Sequence, residues 1–394
     1  MKNIHNIDIT NKKVLIRMDY NVPIEKGIVR NNFRIVQSIE TIEYCLNKGA
    51  SVVLMSHLGR PENNFKDEAL SLRPVAVELS NLLDMNIKFS DSCISNESIN
   101  TSSQLKGREI HLLENLRFHA GERNNCDNFS RLLSKHADVY INDAFGTSHR
   151  AHASNVGVVK FMREASIGFL NMKELEYLSK KLANPVRPYS FILGGVKIAD
   201  KIKLIDNIKN NAEIILIGGA MAFTFLKAKG FDIGSSYFER ESLDMAEKII
   251  KDTNKSGVEL VLPVDAVVST DIDNDSSEDT IVKDIGFFDN NDCGFDIGPK
   301  TSSLFIKKLK DSKTIVWNGP LGVAEKAAFA NGTNKVAHFL NDLSDVSTII
   351  GGGDTASCIY SVLPKNNFSH ISTGGGSSLE LLSGNQLPAF EALK

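Results

Sequence analysis

At residues 349–353 the sequence reads Ile349-Ile350-Gly351-Gly352-Gly353, an apolar run that ends in three glycines and is followed by a helical pattern. The same arrangement recurs in the second half of the chain at 191–195, 214–219, 315–319 and 371–376. Strands that alternate with helices in this way predict βαβ units and a parallel sheet. A glycine at a strand end lets backbone N–H groups approach a phosphate at the next helix start. The second half is therefore predicted to bind a nucleotide.

The first half also alternates between strands and helices. Strand-like runs lie at 13–19, 50–56, 110–116 and 139–145, and helical patterns lie near 38–47, 72–83 and 128–135. A chain of 394 residues is too long for one ordinary hydrophobic core, so two domains are expected. A helical pattern at 167–184, which ends at Pro185 and Pro188, is interpreted as the connection between them. The alternative is an ordinary surface helix of the first domain.

In the first half the strand ends are followed by cationic or polar residues instead of glycine runs. Examples are Ser56-His57-Leu58-Gly59-Arg60 and Gly146-Thr147-Ser148-His149-Arg150. Arginine binds carboxylate and phosphate with a planar fork of donors. Because ligands of α/β sheets bind at the carboxyl ends of the strands, we expect the cationic side chains to converge there. These are Arg34, His57, Arg60, Arg117, His149 and Arg150.

Two polar residues follow the first strand, and they have two possible roles. Asp19 and Asn21 lie in the segment 17–23 and can hydrogen-bond to the hydroxyls of a small ligand. The alternative is a turn in which Asp, Asn and Pro bond only to the local backbone. Together with the converging arginines, they predict a site for a small, highly charged acid in the first half.

The composition excludes several classes of protein. Lys and Arg number 45 and Asp and Glu 48, so the formal charge of −3 argues against a nucleic-acid-binding protein. The five cysteines are scattered without a C-x-x-C pair, which is typical of a reducing cytosol. The start of the chain has no apolar signal region, and no run of about 18 apolar residues is present. We expect a cytoplasmic monomer with small-molecule substrates and no membrane partner.

The glycine-rich segments do not match the common nucleotide motifs. No P-loop is present, and the dinucleotide pattern Gly351-x-Gly353-x-x-Ala356 has Thr373 where an acidic residue is expected about 20 positions later. An NAD-dependent dehydrogenase is therefore kept only as the alternative function. Asp354 can cap a helix or approach Mg²⁺ carried by phosphates. Lys197 and Lys201 would share one face of a helix start, where they would attract phosphate or simply be solvated.

The whole chain resembles the phosphoglycerate kinase family. The similar segments are 17–23, 56–61, 114–118, 142–151, 193–201, 218–226, 262–267, 317–325, 351–356 and 373–382. Small departures are Tyr20, Val196 and Asn385-Gln386, none of which removes a charge from the expected reaction centre. The resemblance implies two doubly wound, Rossmann-like α/β domains facing each other across a cleft. It places 1–168 and a returning tail at 377–394 in the first domain, 169–187 in a hinge, and 188–376 in the second domain.

The resemblance also implies the ligands and their residues. The first domain would bind 3-phosphoglycerate or 1,3-bisphosphoglycerate through Asp19, Asn21, Arg34, His57, Arg60, Arg117 and Arg150. The second would bind MgADP or MgATP through Lys197, Lys201, Gly219, Asn318, Pro320, Glu325, Gly352, Gly353, Asp354 and Thr355. Asp354 would lie beside the Mg²⁺. Arg34, Lys197, Lys201 and the backbone N–H groups of Gly353 and Gly376 are the predicted catalytic groups, and no general base is required.

Overall fold

The computed structural model describes residues 1–61, 66–273 and 280–394 of the chain. They form two compact units, of which unit 1 contains Met1–Glu176 with Gln386–Lys394 and unit 2 contains Tyr177–Asn385. Within the described ranges, no helix has the length and apolar character needed to cross a membrane.

Unit 1 is built around a six-stranded parallel sheet with helices on its faces. Its strands are β1 Lys13–Met18, β2 Ile24–Glu25, β3 Ile28–Val29, β4 Ser51–Met55, β5 Ile87–Ser90, β6 Ile110–Leu113, β7 Val139–Asp143 and β8 Glu164–Ile167. Its helices are α1 Phe33–Val36, α2 Ile39–Asn47, α3 Arg73–Leu83, α4 Asn96–Ser103, α5 Ala120–Arg123, α6 Asp127–Ser134 and α7 Phe169–Leu175. Strands β4 and β7, which flank β1, are buried along their whole length, as expected for a sheet that is covered on both faces.

Unit 2 contains a second six-stranded parallel sheet and a three-stranded antiparallel sheet. Its strands are β9 Tyr189–Leu193, β10 Ile214–Ile217, β11 Glu259–Val261, β12 Asp265–Ser269, β13 Ile281–Asp284, β14 Cys293–Ile297, β15 Thr314–Asn318, β16 Ser347–Gly351 and β17 His370–Ile371. Its helices are α8 Lys181–Ala183, α9 Ile202–Ile208, α10 Met221–Ala228, α11 Leu243–Ser256, α12 Pro299–Leu309, α13 Asn331–Asn341, α14 Gly353–Val362 and α15 Gly376–Leu382. The tail helix α16, Pro388–Glu391, belongs to unit 1.

The strand order decides where each unit can bind a ligand. The sheet of unit 1 runs β5-β6-β4-β1-β7-β8, and that of unit 2 runs β11-β10-β9-β15-β16-β17. In unit 1 the chain proceeds from β1 toward β4 and then crosses to β7, while in unit 2 it proceeds from β9 toward β10 and later crosses to β15. Ligands of open α/β sheets bind at such reversals, at the carboxyl ends of the strands. The relevant residues are therefore those that follow β1, β7, β9 and β15.

The limits of the units differ from the predicted domain limits. The sequence predicts a tail of the first domain from residue 377, but residues 377–385 lie in unit 2. Helix α15 packs against α9, and the side-chain amide of Asn207 donates to the carbonyl of Leu382 at 2.7 Å. These contacts keep α15 with the second sheet, so that only the last nine residues return to unit 1. The predicted helix at 167–184 is helical from Phe169 to Ala183 and includes a π-helical turn at Glu176–Lys180.

Candidate active site

The cationic site of unit 1 begins at the end of β1. Arg17 is fully buried there, between Met55 of β4 and Asn142 of β7. Its Nε donates to Oγ of Ser154 at 2.8 Å, and its Nη2 lies 3.2 Å from Nδ1 of His57. Because arginine has only donors, Nδ1 of His57 accepts this bond and the ring proton lies on Nε2. Burial and the surrounding guanidinium charges also keep the pKa of His57 well below its usual value, so the ring is neutral.

The turn after β1 positions Arg34. Its Nη1 lies 3.1 Å from Oδ2 of Asp19 and donates to the carbonyl of Asn21 at 3.0 Å. Asn21 in turn accepts a hydrogen bond from the N–H of Gly59 on its side-chain oxygen, at 2.8 Å. Asp19 is buried, whereas 24% of the Arg34 side chain is exposed. Arg34 is therefore fixed by two residues of the predicted acid site and remains accessible.

Three further arginines repel one another at the same place. Arg117 is buried, and its Nη1 donates to the carbonyl of Gly59 at 2.5 Å. Burial and the neighbouring charge of Arg150 lower the pKa of Arg117 to about 10, and burial and the charge of Arg60 lower the pKa of Arg150. Nε of Arg117 is buried without a hydrogen-bond partner in the described part of the chain. An unused donor within a surplus of positive charge is suited to a strongly anionic ligand.

The structure thus brings the predicted acid-binding residues together at one edge of the sheet. Arg60 itself is exposed, and Nε of Arg150 donates to Nε2 of His149 at 3.1 Å. The residues gathered by direct contact or charge are Asp19, Asn21, Arg34, His57, Arg60, Arg117, His149 and Arg150.

Sequence reasoning missed Arg17 and the buried groups behind it. Oγ of Ser154, which accepts from Arg17, donates to Oε1 of Glu122 at 2.6 Å, and its backbone N–H donates to Oε2 at 2.9 Å. Glu122 is fully buried. One signal was available: a single arginine inside the apolar strand 14–18 must be buried if both faces of the sheet are covered, and a buried arginine needs partners for its charge.

Unit 2 has a site made mainly of backbone, where β9 and β15 end. The N–H of Gly194 donates to the carbonyl of Asn318 at 3.0 Å, and that of Gly195 donates to the carbonyl of Pro320 at 2.8 Å. A Cβ on Gly194 would lie 2.1 Å from the Pro320 carbonyl oxygen. Gly195 has a φ of +90°, which favours glycine. Glycine is therefore required here for the close approach of two strand ends.

Lys201 lies at the centre of this site. Its side chain is buried, and its ammonium donates to the carbonyls of Gly194 and Asn318, the latter at 2.9 Å. Burial lowers the pKa of Lys201 to about 8, although Asp200 and Asp354 act to raise it. The charge of Lys201 is thus placed at the reversal of the strand order.

Lys197 does not share a helix face with Lys201, contrary to the prediction. Lys197 is exposed in a non-helical segment, and Lys201 ends a 3-10 turn at Ala199–Lys201 before α9 begins at Ile202. Glu239 explains the difference, because its Oε2 accepts from the N–H groups of Ile198 and Ala199 at 2.8 and 3.2 Å. This carboxylate binds the backbone in a turn that precedes the helix.

Helix α14 begins in the same region. Its N-cap Gly352 has a φ of +95°, and Oγ1 of Thr355 accepts from the N–H of Gly319 at 2.7 Å. The first N–H groups of a helix have no partner within the helix. Asp354 is exposed in this first turn and makes no hydrogen bond or ion pair with the described residues. It is therefore available to a ligand.

The remaining predicted nucleotide residues also lie in this part of unit 2. A Cβ built on Gly375, the N-cap of α15, would be 3.8 Å from the backbone nitrogen of Gly353, so the N–H groups that begin α14 and α15 are neighbours. Gly376 is the first residue of α15. Burial raises the pKa of the Cys358 thiol to about 11, with further contributions from Glu325 and Asp354. Both carboxylates therefore lie near the same side of α14. The N–H of Gly219 donates to Leu321, beside Pro320.

Comparison with known proteins shows the same relationship over the whole chain. The family model described as phosphoglycerate kinase matches residues 4–385. A phosphoglycerate kinase of Finegoldia magna is 46% identical over 394 residues, covering 100% of this chain and 98% of that protein. The one from Dictyoglomus turgidum is 45% identical and covers 98% and 96%.

Solved structures agree with these sequence matches. A phosphoglycerate kinase from Coxiella burnetii superposes with a TM-score of 0.85 at 36% identity, covering 99% of this chain and 98% of that one. The phosphoglycerate kinase from Pyrococcus horikoshii gives a TM-score of 0.86 at 30% identity, with 100% and 98% covered. Sequence and fold therefore lead to the same relatives.

Proposed function

The chain belongs to the phosphoglycerate kinase family, and from this membership we propose how its two units divide the reaction. The protein is a phosphotransferase that uses a carboxyl group as acceptor. It transfers a phosphoryl group reversibly between 1,3-bisphosphoglycerate and ADP, giving 3-phosphoglycerate and ATP. We assign the acid to unit 1 and the nucleotide to unit 2. The assignment of the acid to unit 1 rests on the excess of guanidinium groups near the end of β1. One of them, Arg117, has a buried Nε without a hydrogen-bond partner in the described part of the chain.

The acid would be bound by charge and oriented by the turn after β1. Arg60, Arg117 and Arg150 supply positive charge for phosphate and carboxylate. Nε2–H of the neutral His57 supplies a directional hydrogen bond without adding a charge. Asp19 and Asn21 position Arg34 and can accept or donate to a hydroxyl.

The nucleotide would bind at the glycine-rich ends of β9, β10, β15 and β16. These strand ends would shape the site, but the N–H groups of Gly194, Gly195, Gly219 and Gly319 already donate to protein oxygens. The phosphates would therefore be bound by the backbone N–H groups that begin α14 and α15. Glu325, an exposed carboxylate, is the proposed partner of the ribose. The full proposed set is Lys201, Gly219, Asn318, Pro320, Glu325, Gly352, Gly353, Asp354 and Thr355.

The chemistry would require positioning and charge neutralisation but no general base. A carboxylate is already ionised at pH 7, so it can attack without losing a proton. Phosphoryl transfer is accelerated mainly by alignment and by neutralising charge on the moving group. We assign this role to Arg34 on the acid side, and to Lys201, Lys197 and the N–H groups of Gly353 and Gly376 on the nucleotide side. Transfer also requires the two substrates to meet with water excluded.

Mg²⁺ fits the groups in unit 2. No cluster of three or more His, Cys, Asp or Glu side chains in the described ranges could bind a metal alone. Mg²⁺ in kinases commonly takes one or two carboxylates and completes its coordination with phosphates and water. Asp354, which is exposed at the start of α14 and has no partner among the described residues, is such a carboxylate. The metal, when bound, neutralises phosphate charge, while Asp354 would fix the position of the metal–nucleotide complex.

Arg34 provides the test of the mechanism. We expect Arg34→Ala to lower kcat by roughly 10³-fold or more, as for arginines that stabilise transferring phosphoryl groups, while MgADP still binds. Arg30→Ala is the matched control, because Arg30 is an exposed arginine that pairs with Glu25. Near-normal turnover of Arg34→Ala, or an equal loss in Arg30→Ala, would refute the role of Arg34.

The activity itself is tested by a coupled assay with 3-phosphoglycerate and ATP. The alternative function, an NAD-dependent dehydrogenase, has no support from the family or from the relatives. Position 373, where the dehydrogenase pattern needs an acidic residue, holds a buried threonine. NADH turnover without phosphoryl transfer would reverse this conclusion.

A further inference from the structure

A buried carboxylate lies behind the segment that carries Pro320 and Glu325. Asp296 is in β14, only 3% exposed, and no cation lies within ion-pair distance of it in the described part of the chain. Its Oδ1 accepts from the N–H of Ile297 at 2.8 Å, and its Oδ2 accepts from the N–H of Gly332 at 2.7 Å. Two backbone donors thus occupy the two carboxylate oxygens.

Residues 319–332 comprise the loop after β15 and the first two residues of α13; we call them together the β15–α13 loop, and they close tightly over this carboxylate. A Cβ on Gly322 would lie 2.2 Å from Oδ1 of Asp296, and one on Gly332 would lie 2.5 Å from the same atom. At both positions the backbone therefore lies too close to the carboxylate for a side chain to fit without a shift. The neighbouring Phe295 adds a backbone bond, because its carbonyl accepts from the N–H of Val323 at 2.9 Å.

The other side of the β15–α13 loop is bonded to the glycine-rich strand ends. Gly195 donates to the carbonyl of Pro320, and Gly219 donates to that of Leu321 at 2.9 Å. Asp296, Gly219 and Leu321 also line one narrow cavity. A movement of the loop away from Asp296 would therefore displace Pro320 and Glu325 relative to the glycine-rich ends of β9 and β10 in the proposed nucleotide site.

The contacts of Asp296 are ones that an amide could not reproduce. Burial raises the pKa of Asp296 to about 7. Burying a carboxylate without a cation costs free energy unless hydrogen bonds satisfy its oxygens. The two N–H donors approach different oxygens of Asp296, so asparagine in the same position would turn its NH₂ group toward one of them. Perturbed carboxylates of this kind also cluster at functional sites.

We infer that Asp296 is a positioning residue for the nucleotide, which acts by fixing the β15–α13 loop and so placing Pro320 and Glu325. The inference rests on the proposed nucleotide site of unit 2. Loosening the loop would reduce the fraction of molecules ready to bind, and the apparent Kd rises in inverse proportion to that fraction.

The test compares Asp296→Asn with Asp265→Asn. Asp265 is also a buried carboxylate of the small sheet, and it accepts from the N–H groups of Lys300 and Thr301 at 2.9 and 2.7 Å. It caps α12 and not the β15–α13 loop, so it is the matched control for general destabilisation. We expect Asp296→Asn to raise the Kd for MgADP, measured by calorimetry, about tenfold, or 1.4 kcal/mol. The KM for 3-phosphoglycerate should stay within about twofold, and Asp265→Asn should leave both values unchanged.

A third variant separates this inference from the proposed site. Glu325→Ala should weaken MgADP binding if the proposed nucleotide site is correct. Weak binding by Glu325→Ala with normal binding by Asp296→Asn would overturn only the role of Asp296. Normal binding by both would overturn the proposed site as well, and equal weakening by Asp265→Asn would show a general loosening of unit 2.

Gly322→Ala serves if Asp296→Asn does not fold. Gly322 has no left-handed φ, so alanine is conformationally permitted. Its Cβ would lie 2.2 Å from Oδ1 of Asp296 and 2.5 Å from the carbonyl oxygen of Phe329, so the segment would have to move away from Asp296. We expect the same selective rise in the Kd for MgADP. A normal Kd in Gly322→Ala would contradict the inference.

Discussion

The activity of the enzyme should fall at alkaline pH because Lys201 loses its charge. Burial lowers the pKa of Lys201 to about 8 from the usual 10.5. The charged form is the one that attracts phosphate, so activity is complete below this pKa and is lost as the pH rises through it. With a pKa of about 8, about nine-tenths of the molecules carry the charge at pH 7 and about one-tenth at pH 9. We therefore expect kcat/KM for the nucleotide to fall about tenfold over this range.

The assay is a pH profile of kcat/KM, because this parameter reports groups of the free enzyme. Lys201→Arg keeps a positive charge that is not lost below pH 12. The kcat/KM that this variant retains should therefore show no alkaline limb, that is, no fall near pH 8. Lys197→Arg is the control: Lys197 is exposed and outside the helix, and its replacement should leave the limb in place. A limb that persists in Lys201→Arg, or that disappears in Lys197→Arg, would show that another group titrates and that our assignment is wrong.

Three further outcomes are expected. Nδ1 of His111 and Nδ1 of His136 lie 2.8 and 2.7 Å from the hydroxyl of Ser102, and burial lowers the pKa of these rings to about 3 and about 4. Their contribution to the free energy of unfolding is therefore complete above pH 6.5 and falls by about 2 kcal/mol per histidine by pH 5. Urea unfolding at pH 8 and pH 5, with hydrogen exchange of residues 96–113, measures this fall in the free energy of unfolding. The fall should be about half as large in His136→Gln and unchanged in the control His338→Gln. An unchanged fall in His136→Gln would show that the two histidines are not its cause. Asp354→Asn should raise the Mg²⁺ concentration needed for half-maximal activity while 3-phosphoglycerate still binds, and an unaltered Mg²⁺ dependence would remove Asp354 from the metal site. X-ray scattering should give a smaller radius of gyration with both substrates bound than with neither, and equal radii would count against closure on the substrates.

The strand–helix alternation and the residues at strand ends were readable from the sequence because each depends on local pattern. Apolar runs followed by helical periods predicted both parallel sheets, and parallel strands necessarily bring their carboxyl ends to one edge. The convergence of Arg34, Arg117 and Arg150 follows from that geometry. The glycines at 194 and 195 could likewise be recognised, although their direct bonds to Asn318 and Pro320 could not.

The features that were missed depend on tertiary contacts. Spacing alone placed Lys197 and Lys201 on one helix face, but Glu239, about 40 residues away in sequence, binds the intervening N–H groups and delays the helix. Residues 377–385 were assigned to the wrong unit because the packing of α15 on α9 leaves no local signal. Arg17 looked like an ordinary strand residue until the sheet showed it to be buried.

The two units solve the same problem, binding an anion, by opposite means, and this predicts different selectivity. In unit 1 the charges are side chains, and burial together with the repulsion of neighbouring guanidinium groups lowers the pKa of Arg117 and Arg150. An anion relieves that repulsion wherever it binds within the cluster, so unit 1 should respond mainly to the charge of its ligand. In unit 2 the donors are the backbone N–H groups that begin α14 and α15, and one buried lysine supplies the charge. The neighbouring strand ends are packed so closely that a Cβ on Gly194 would lie 2.1 Å from the carbonyl oxygen of Pro320. Such a site cannot adjust to a different shape without breaking its own hydrogen bonds. Shape should therefore dominate in the nucleotide site and charge in the acid site.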